Sequence, residues 1–246
     1  MQEALHPHHD NRSITVDDHI LEFGNDSKKV APPDRARCPI CKQYLKIVSP
    51  SSPNTIKHFS HISGGGWCPA KEIAKNPYLG LSAKSPDIEM ARRIKHAFAA
   101  NWQRHYDKLR SLVPYLSLDE FTEILKIANR EKIWYYKDIN EGVLPYIFAT
   151  LIDFTPDNSY KKSRKYWLCF LFDNTVRGYD DLWIYRDVPL KFWRASFSKM
   201  KGKSRPKLDD LVRITEVEIS DDFLKGDVPL NSYIEKYVSD WLARNF

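Results

Sequence analysis

CPICKQYLKIVSPSSPNTIKHFSHISGGGWC, residues 38–68, gathers three of the chain's four cysteines and two of its eight histidines. The first residues lack the basic-then-apolar order of a secretory signal, so a reducing compartment is expected, where cysteines three apart read as metal ligands before they read as disulfides. Cys38-Pro39-Ile40-Cys41 is a knuckle in which one tight turn aims two sulfurs at one ion. His58-Phe59-Ser60-His61 then offers two imidazoles, and Cys68 follows a turn whose three glycines let the backbone fold back without steric penalty. Zinc takes four such donors in a tetrahedron. Five candidates compete for four places. The first choice is Cys38, Cys41, His61 and Cys68, with His58 replacing one of the last two or standing behind them. Spacing alone leaves the set Cys38, Cys41, His58 and His61 open. With every place filled by protein, the metal holds a fold rather than doing chemistry.

Working outward, residues 1–12 are polar and His-rich and read as a flexible tail; His6, His8 and His9 could bind a metal weakly but read better as part of that tail. Residues 13–23, SITVDDHILEF, read as a small hairpin turning at Asp17-Asp18. Together with the cysteine segment they make a small metal module over 13–80. A long helix opens at Ser85-Pro86-Asp87, and its apolar face is drawn from Ile88, Ala91, Ile94, Phe98 and Trp102. His96 and His105 are read onto one face of it. A second helix starts at Ser117 with a capping box to Glu120. Residues 142–154, 164–174, 181–187 and 211–220 read as strands. The segment PLNSYIEKYVSDWLARNF reads as a helix with Tyr233, Tyr237, Val238, Trp241 and Leu242 inward. The fold class expected is α+β, a zinc module followed over 81–246 by a mixed domain of about four strands.

At 246 residues, 42% hydrophobic and 13% aromatic, the chain can bury a core. No stretch approaches the apolar length of a membrane span. A cytoplasmic protein is expected, with no membrane partner. The net charge of +6 suits a polyanion partner without requiring one. Residues 199–207, KMKGKSRPK, alternate Lys199, Lys201, Lys203, Arg205 and Lys207 with residues that disfavour a helix, and read as a flexible basic loop able to neutralise phosphates. Just before it, Lys191, Trp193 and Arg194 combine cations with an aromatic ring of the kind single-stranded nucleic acid stacks on. The bland alternative packs Trp193 in the core. Cys169 reads as a small buried hydrophobe.

The order CPIC, HFSH, a trailing cysteine and a long helix with an early acid is similar to the competence-protein CoiA-like family, over roughly residues 13–112. That resemblance implies a restriction-endonuclease-like domain after the zinc module, and work on DNA. The partner expected is DNA, single-stranded before double-stranded because of the aromatic and basic residues around Trp193, or a DNA-bound protein such as a single-strand-binding protein. The resemblance also implies a setting in defence against foreign DNA. Nuclease chemistry needs Mg²⁺ on two or three carboxylates, with a lysine near the phosphate. Glu89, Asp153 and Asp173 are the candidate acids and Lys165 the candidate lysine. No Asp or Glu downstream of the cysteine segment is followed two places later by Lys, so the set is incomplete. The expectation is a binding protein without catalysis. The alternatives are a Mg²⁺-dependent nuclease and a protein-interaction module with no nucleic-acid contact.

Overall fold

The computed structural model describes residues 1–24, 32–48, 57–156, 164–198 and 205–246. Twelve elements order these residues: β1 (Glu3–Leu5), β2 (Ser13–Thr15), α1 (Val16–Phe23), β3 (Leu45–Val48), β4 (His58–His61), α2 (Ile88–Leu112), α3 (Leu118–Arg130), α4 (Leu144–Leu151), β5 (Trp167–Phe172), β6 (Phe192–Phe197), β7 (Leu211–Val217) and α5 (Ser232–Asn245). The strands form three small antiparallel sheets, β1–β2, β3–β4 and β5–β6–β7, so the fold is mixed α/β. Among the described residues, no helix is long and apolar enough to cross a membrane.

Residues 1–12 are anchored rather than a flexible tail. Met1 is fully buried, and its amino group donates to the carbonyls of Phe59 (2.9 Å) and Leu208 (3.1 Å). Leu5 exchanges backbone hydrogen bonds with Arg37, and buried His6 lies 3.1 Å from a Glu22 carboxylate oxygen. These partners are all distant in sequence, and a three-residue strand has no period to detect. The hairpin expected at 13–23 is instead a strand end and a helix. Thr15 accepts the amide of Asp18 at 3.2 Å, so Asp17 and Asp18 form an acidic first turn, not a reverse turn.

Within 142–154, Leu144–Leu151 is α4, not a strand, and only Phe154 bridges to Leu168. Every residue of α4 is buried, so its sequence has no polar face, and such a run cannot be told from a buried strand by periodicity. Residues 181–187 are also not a strand. Tyr179–Trp183 is a 3-10 turn, after which Ile184 and Tyr185 lie exposed. The strands that reading missed are β1, β3, β4 and β6, the last being the middle of the three-stranded sheet. The helix predictions fared better. Ser117 and Glu120 form the capping box of α3. α2 is capped by Asp87, two residues after the expected Ser85, and bends at Asn101. In α5, Val238 and Leu242 are buried but Tyr233 is 68% exposed, against expectation.

Trp134, Phe98 and Phe148 form a ring cluster with centroids 5.4–5.6 Å apart, tying α2 to α4. α4 lies on the three-stranded sheet, with Tyr146 edge-on to Phe192 at 5.3 Å. The 3-10 turn Pro69–Lys75, directly after Cys68, also contacts β5. Every residue of β5 is buried, as a strand covered on both faces requires. One continuous apolar core therefore runs from Met1 to Leu242 and includes the cysteine segment.

His96 and His105 lie on opposite faces of α2. Nine residues at about 100° each leave them half a turn apart, and accordingly His96 is exposed while His105 is fully buried. His105 Nε2 lies 3.3 Å from a Glu141 oxygen, which also accepts from Asn101 Nδ2 at 3.0 Å. Burial pulls the His105 pKa below its ordinary value of 6.5, while Glu141 pulls weakly the other way. The histidine bond in turn lowers Glu141. Below pH 6.5 the unfolded chain takes up a proton that native His105 resists, so stability falls as pH falls through that region. His105→Gln keeps a donor for Glu141 and removes the titration. Its melting temperature should decline less between pH 6.5 and 5 than that of the unmodified protein. Parallel curves from thermal melts across that range would refute this.

Candidate metal centre

The knuckle is built by backbone hydrogen bonds. Lys42 N donates to Cys38 O and Cys38 N to Gln43 O, both at 2.9 Å, which folds residues 38–43 into a closed turn. The turn needs Lys42 at φ 60°, in the left-handed region. β3 leaves this turn and pairs with β4 in the register Leu45↔His61 and Val48↔His58. His61 is thereby set beside the start of β3, next to the knuckle, and His58 at the far end.

That register decides between the two histidines. Side chains alternate faces along a strand, so positions three apart point to opposite sides. Phe59 and His61 are buried on one face; His58 and Ser60 are half-buried on the other. On a helix, histidines spaced three apart would have shared a face. His58 is therefore a correction to the candidate ligands, as is the set that pairs it with His61.

The last donor arrives on the glycine turn. Gly64 takes φ +78°, a conformation that favours glycine, and a Cβ on Gly65 would sit 2.6 Å from Gln43 Oε1 and displace that side chain. Gln43 stitches the two segments together. Its Nε2 donates to Trp67 O at 3.2 Å, and its Oε1 accepts from Lys71 Nζ, which also donates to Gly66 O at 2.7 Å. Trp67 precedes Cys68, so these bonds hold the final cysteine over the knuckle.

Cys38, Cys41, His61 and Cys68 are all buried, with donor atoms within 4.8 Å of one another. Cys38 and Cys68 sulfurs lie 4.0 Å apart, and Cys41 Sγ lies 3.4 Å from His61 Nε2. A tetrahedral ion with metal–sulfur and metal–nitrogen bonds of zinc length has edges of about 3.8 Å between sulfurs and about 3.6 Å between sulfur and nitrogen. The two measured edges bracket those values. A disulfide would bring sulfurs to about 2.05 Å, and all four cysteines are free. His61 Nδ1 is buried without a protein partner among the described residues, so the ring engages the cluster through Nε2. The donor set fits a metal ion, with four protein donors and no open position.

The three thiols do not share their protons evenly. Burial, then the Cys41 sulfur beside it, pushes Cys38 up to about 12. Hydrogen bonds from Cys38 and Cys68 hold Cys41 far below the usual thiol range. Hydrogen bonds with Cys38 and Cys41, then burial, push Cys68 far above it.

The carboxylates expected to hold Mg²⁺ are not assembled. Glu89 is exposed and bonds Arg92 at 3.1 and 3.2 Å. Both oxygens of Asp153 are held by Arg205 at 2.5 Å, and Oδ1 also accepts from Cys169 Sγ. Asp173 is buried; it accepts from Thr175 N (2.8 Å), Thr175 Oγ1 (2.5 Å) and Lys191 N (3.1 Å), closing the turn after β5. Cys169, beside Asp153, and Asp173 are four residues apart on the chain of β5, about 13 Å along a strand. Lys165 is exposed ahead of β5. Among the described residues, no group of metal-ligating side chains includes Glu89, Asp153 or Asp173.

The nucleic-acid candidates are likewise dispersed. Trp193 is 6% exposed in β6, so it packs in the core and offers no stacking face. Lys191 Nζ bonds Glu216 at 3.0 Å, and Arg194 reaches the Leu112 carbonyl at 3.5 Å. Arg205 is spent on Asp153, and Lys207 is exposed. Lys199, Lys201 and Lys203 lie outside the described residues. Cys169 is buried, its thiol pushed well above its ordinary pKa by burial and then by the Asp153 charge. Sequence reasoning missed Gln43 as the stitch and Arg205 as the partner of Asp153. Neither leaves a local signal, since the paired residues are far apart in the chain. No protein-family model, curated protein or solved structure matches this chain.

Proposed function

We propose that the ion is zinc, that its role is structural, and that the protein binds DNA or a DNA-processing complex without catalysing a reaction. The observation that carries this reading is the closed S₃N set: four buried protein donors at tetrahedral spacing, with no place for substrate or water. Three thiolates and an imidazole favour zinc over the hard cations, which take oxygen ligands. The absence of catalysis is supported by Glu89, Asp153 and Asp173, each engaged with its own partner. In this reading the second part is a restriction-endonuclease-like scaffold whose acids have become structural. The polyanion partner rests on the +6 charge. The preference for DNA and for a role against foreign DNA rests on the resemblance; the preference for a single strand came from Trp193 beside Lys191 and Arg194, and that ring is buried in β6. A zinc–thiolate site and free cysteines suit a reducing compartment such as the cytoplasm.

Purified protein should contain one zinc per chain by elemental analysis. It should retain labelled single-stranded DNA at 50 mM salt and leave it intact in 10 mM Mg²⁺ or Mn²⁺. Cleavage that disappears in Asp173→Ala would replace this reading with the nuclease. Failure to bind DNA, with a protein partner captured from cells after nuclease treatment, would replace it with the protein-interaction reading.

A further inference from the structure

The four donors of the metal centre differ in what can reach them. Cys38 and Cys68 are fully buried, while Cys41 and His61 each keep 8% of their surface exposed. A small solute therefore arrives on the Cys41–His61 edge. All four donor atoms lie within 4.8 Å of one another, so a change at Cys41 Sγ happens within reach of two further sulfurs. The fourth cysteine takes no part, because Cys169 Sγ is engaged with Asp153 Oδ1 at 3.3 Å in β5.

The two sulfurs open to Cys41 are held in different ways. Cys38 shares its turn, which Lys42 N–Cys38 O and Cys38 N–Gln43 O close at 2.9 Å. Cys68 sits on the glycine turn, beyond the β3–β4 hairpin. Where no ion fixes the three sulfurs, the neighbour in the chain has the advantage, because the shorter ring costs less chain entropy. The ends of a four-residue turn also lie within about 7 Å, a span that a disulfide bridges. A Cys38–Cys41 disulfide constrains that one turn and nothing else. A disulfide to Cys68 would instead keep the knuckle joined to the glycine turn, as the ion does.

We propose that the centre is a redox switch, in which a hydroperoxide oxidises Cys41 and Cys38 to a disulfide and frees Cys68. This rests on the zinc reading above and gives that site a regulation. The thiolate that ligates a metal is also the form that attacks a peroxide. Cys41 sulfur attacks one peroxide oxygen, so an S–O bond forms, the O–O bond breaks and a hydroxide leaves. The Cys38 thiolate then attacks Cys41 sulfur, forming the S–S bond and expelling a second hydroxide. Two electrons pass from the sulfurs to the peroxide, and each hydroxide takes up a proton to become water. Cys68 and His61 remain, two donors short of a tetrahedral site. Only the hydrogen bonds of Gln43 and Lys71 then join the knuckle to the glycine turn. The loosened parts are wired into the fold, since the turn after Cys68 packs on β5 and Phe59 of the hairpin accepts the Met1 amino group at 2.9 Å.

The test treats the zinc-loaded full chain, freed of reductant, with about 0.5 mM hydrogen peroxide. Zinc is followed with a chelating dye, free thiols by titration and tryptic peptides by mass after alkylation. One zinc per chain should be released while free thiols fall from four to two. The peptide CPICK (38–42) should be lighter by two hydrogens, and Cys68 in HFSHISGGGWCPAK (58–71) should be alkylated. Dithiothreitol with added zinc should restore the thiols and the metal. Cys169→Ser should release its zinc equally, with thiols falling from three to one. A disulfide to Cys68, or a Cys41 sulfinic acid that dithiothreitol does not reverse, would overturn the switch. Zinc retained with all four thiols free would overturn it too and leave the zinc reading intact. A protein that carries no zinc before peroxide is added fails that reading instead, and this inference with it.

Discussion

Replacing His61 with Ala should cost the protein its metal and much of its fold, and replacing His58 with Ala should cost neither. A structural zinc site contributes on the order of 10 kcal/mol of apparent folding free energy. Domains have only about 5–15 kcal/mol in total. Losing one of four donors should therefore unfold the knuckle and the β3–β4 hairpin. The damage should spread, because Phe59 and Leu208 accept the Met1 amino group and the turn after Cys68 packs on β5. Elemental analysis and thermal melts test this together: about one zinc per chain for the native protein and His58→Ala, and well below one for His61→Ala and Cys38→Ser. A chelator-treated native protein that melts within about 2 °C of the loaded form would overturn the structural role. Proton linkage gives an independent readout. The ligand sulfurs must be thiolates in the bound state, so binding releases protons, affinity should rise with pH, and acid should strip the site.

A buried ion pair carries the second large effect. The Arg164 side chain is 4% exposed and pairs with Glu120. Its Nε also donates to Thr155 O at 2.8 Å, and its guanidinium lies 5.6 Å from the Phe154 ring. Glu120 meanwhile accepts the Ser117 amide at 3.0 Å in the capping box of α3. Glu120→Ala strands a buried guanidinium, which costs about 3–5 kcal/mol, and forfeits part of a cap worth about 1 kcal/mol. Glu120→Gln retains the cap and isolates the charge. Arg164→Met removes the stranded charge, so Glu120→Ala/Arg164→Met should recover most of the loss. Urea melts of the three variants measure this; a double mutant no more stable than Glu120→Ala would show that the lost charge pairing is not the cause.

Local chemistry was legible in the sequence wherever its signal lay within a few residues. Cys38 and Cys41 needed one turn, and Ser117 and Glu120 needed one turn of helix. The glycines before Cys68 announced a return of the chain. α2 and α3 declared themselves by a period of apolar residues and a cap. The failures share a cause as well. α4 has no polar face because the fold surrounds it, β6 hid its strand under an aromatic and basic composition, and residues 1–12 take their partners from residues 37, 59 and 208. Asp153 and Asp173 sat at plausible catalytic positions, and only Arg205, Thr175 and Lys191 showed that their lone pairs were already taken.

The sequence by itself determined that cysteines and histidines able to ligate a metal crowd together between residues 38 and 68, because donor type and tight spacing are local properties. Tertiary structure decided which histidine belongs to it. The choice hangs on whether HFSH is a strand or a helix and on its register with β3, and those follow from pairing across a stretch of chain that the motif does not contain.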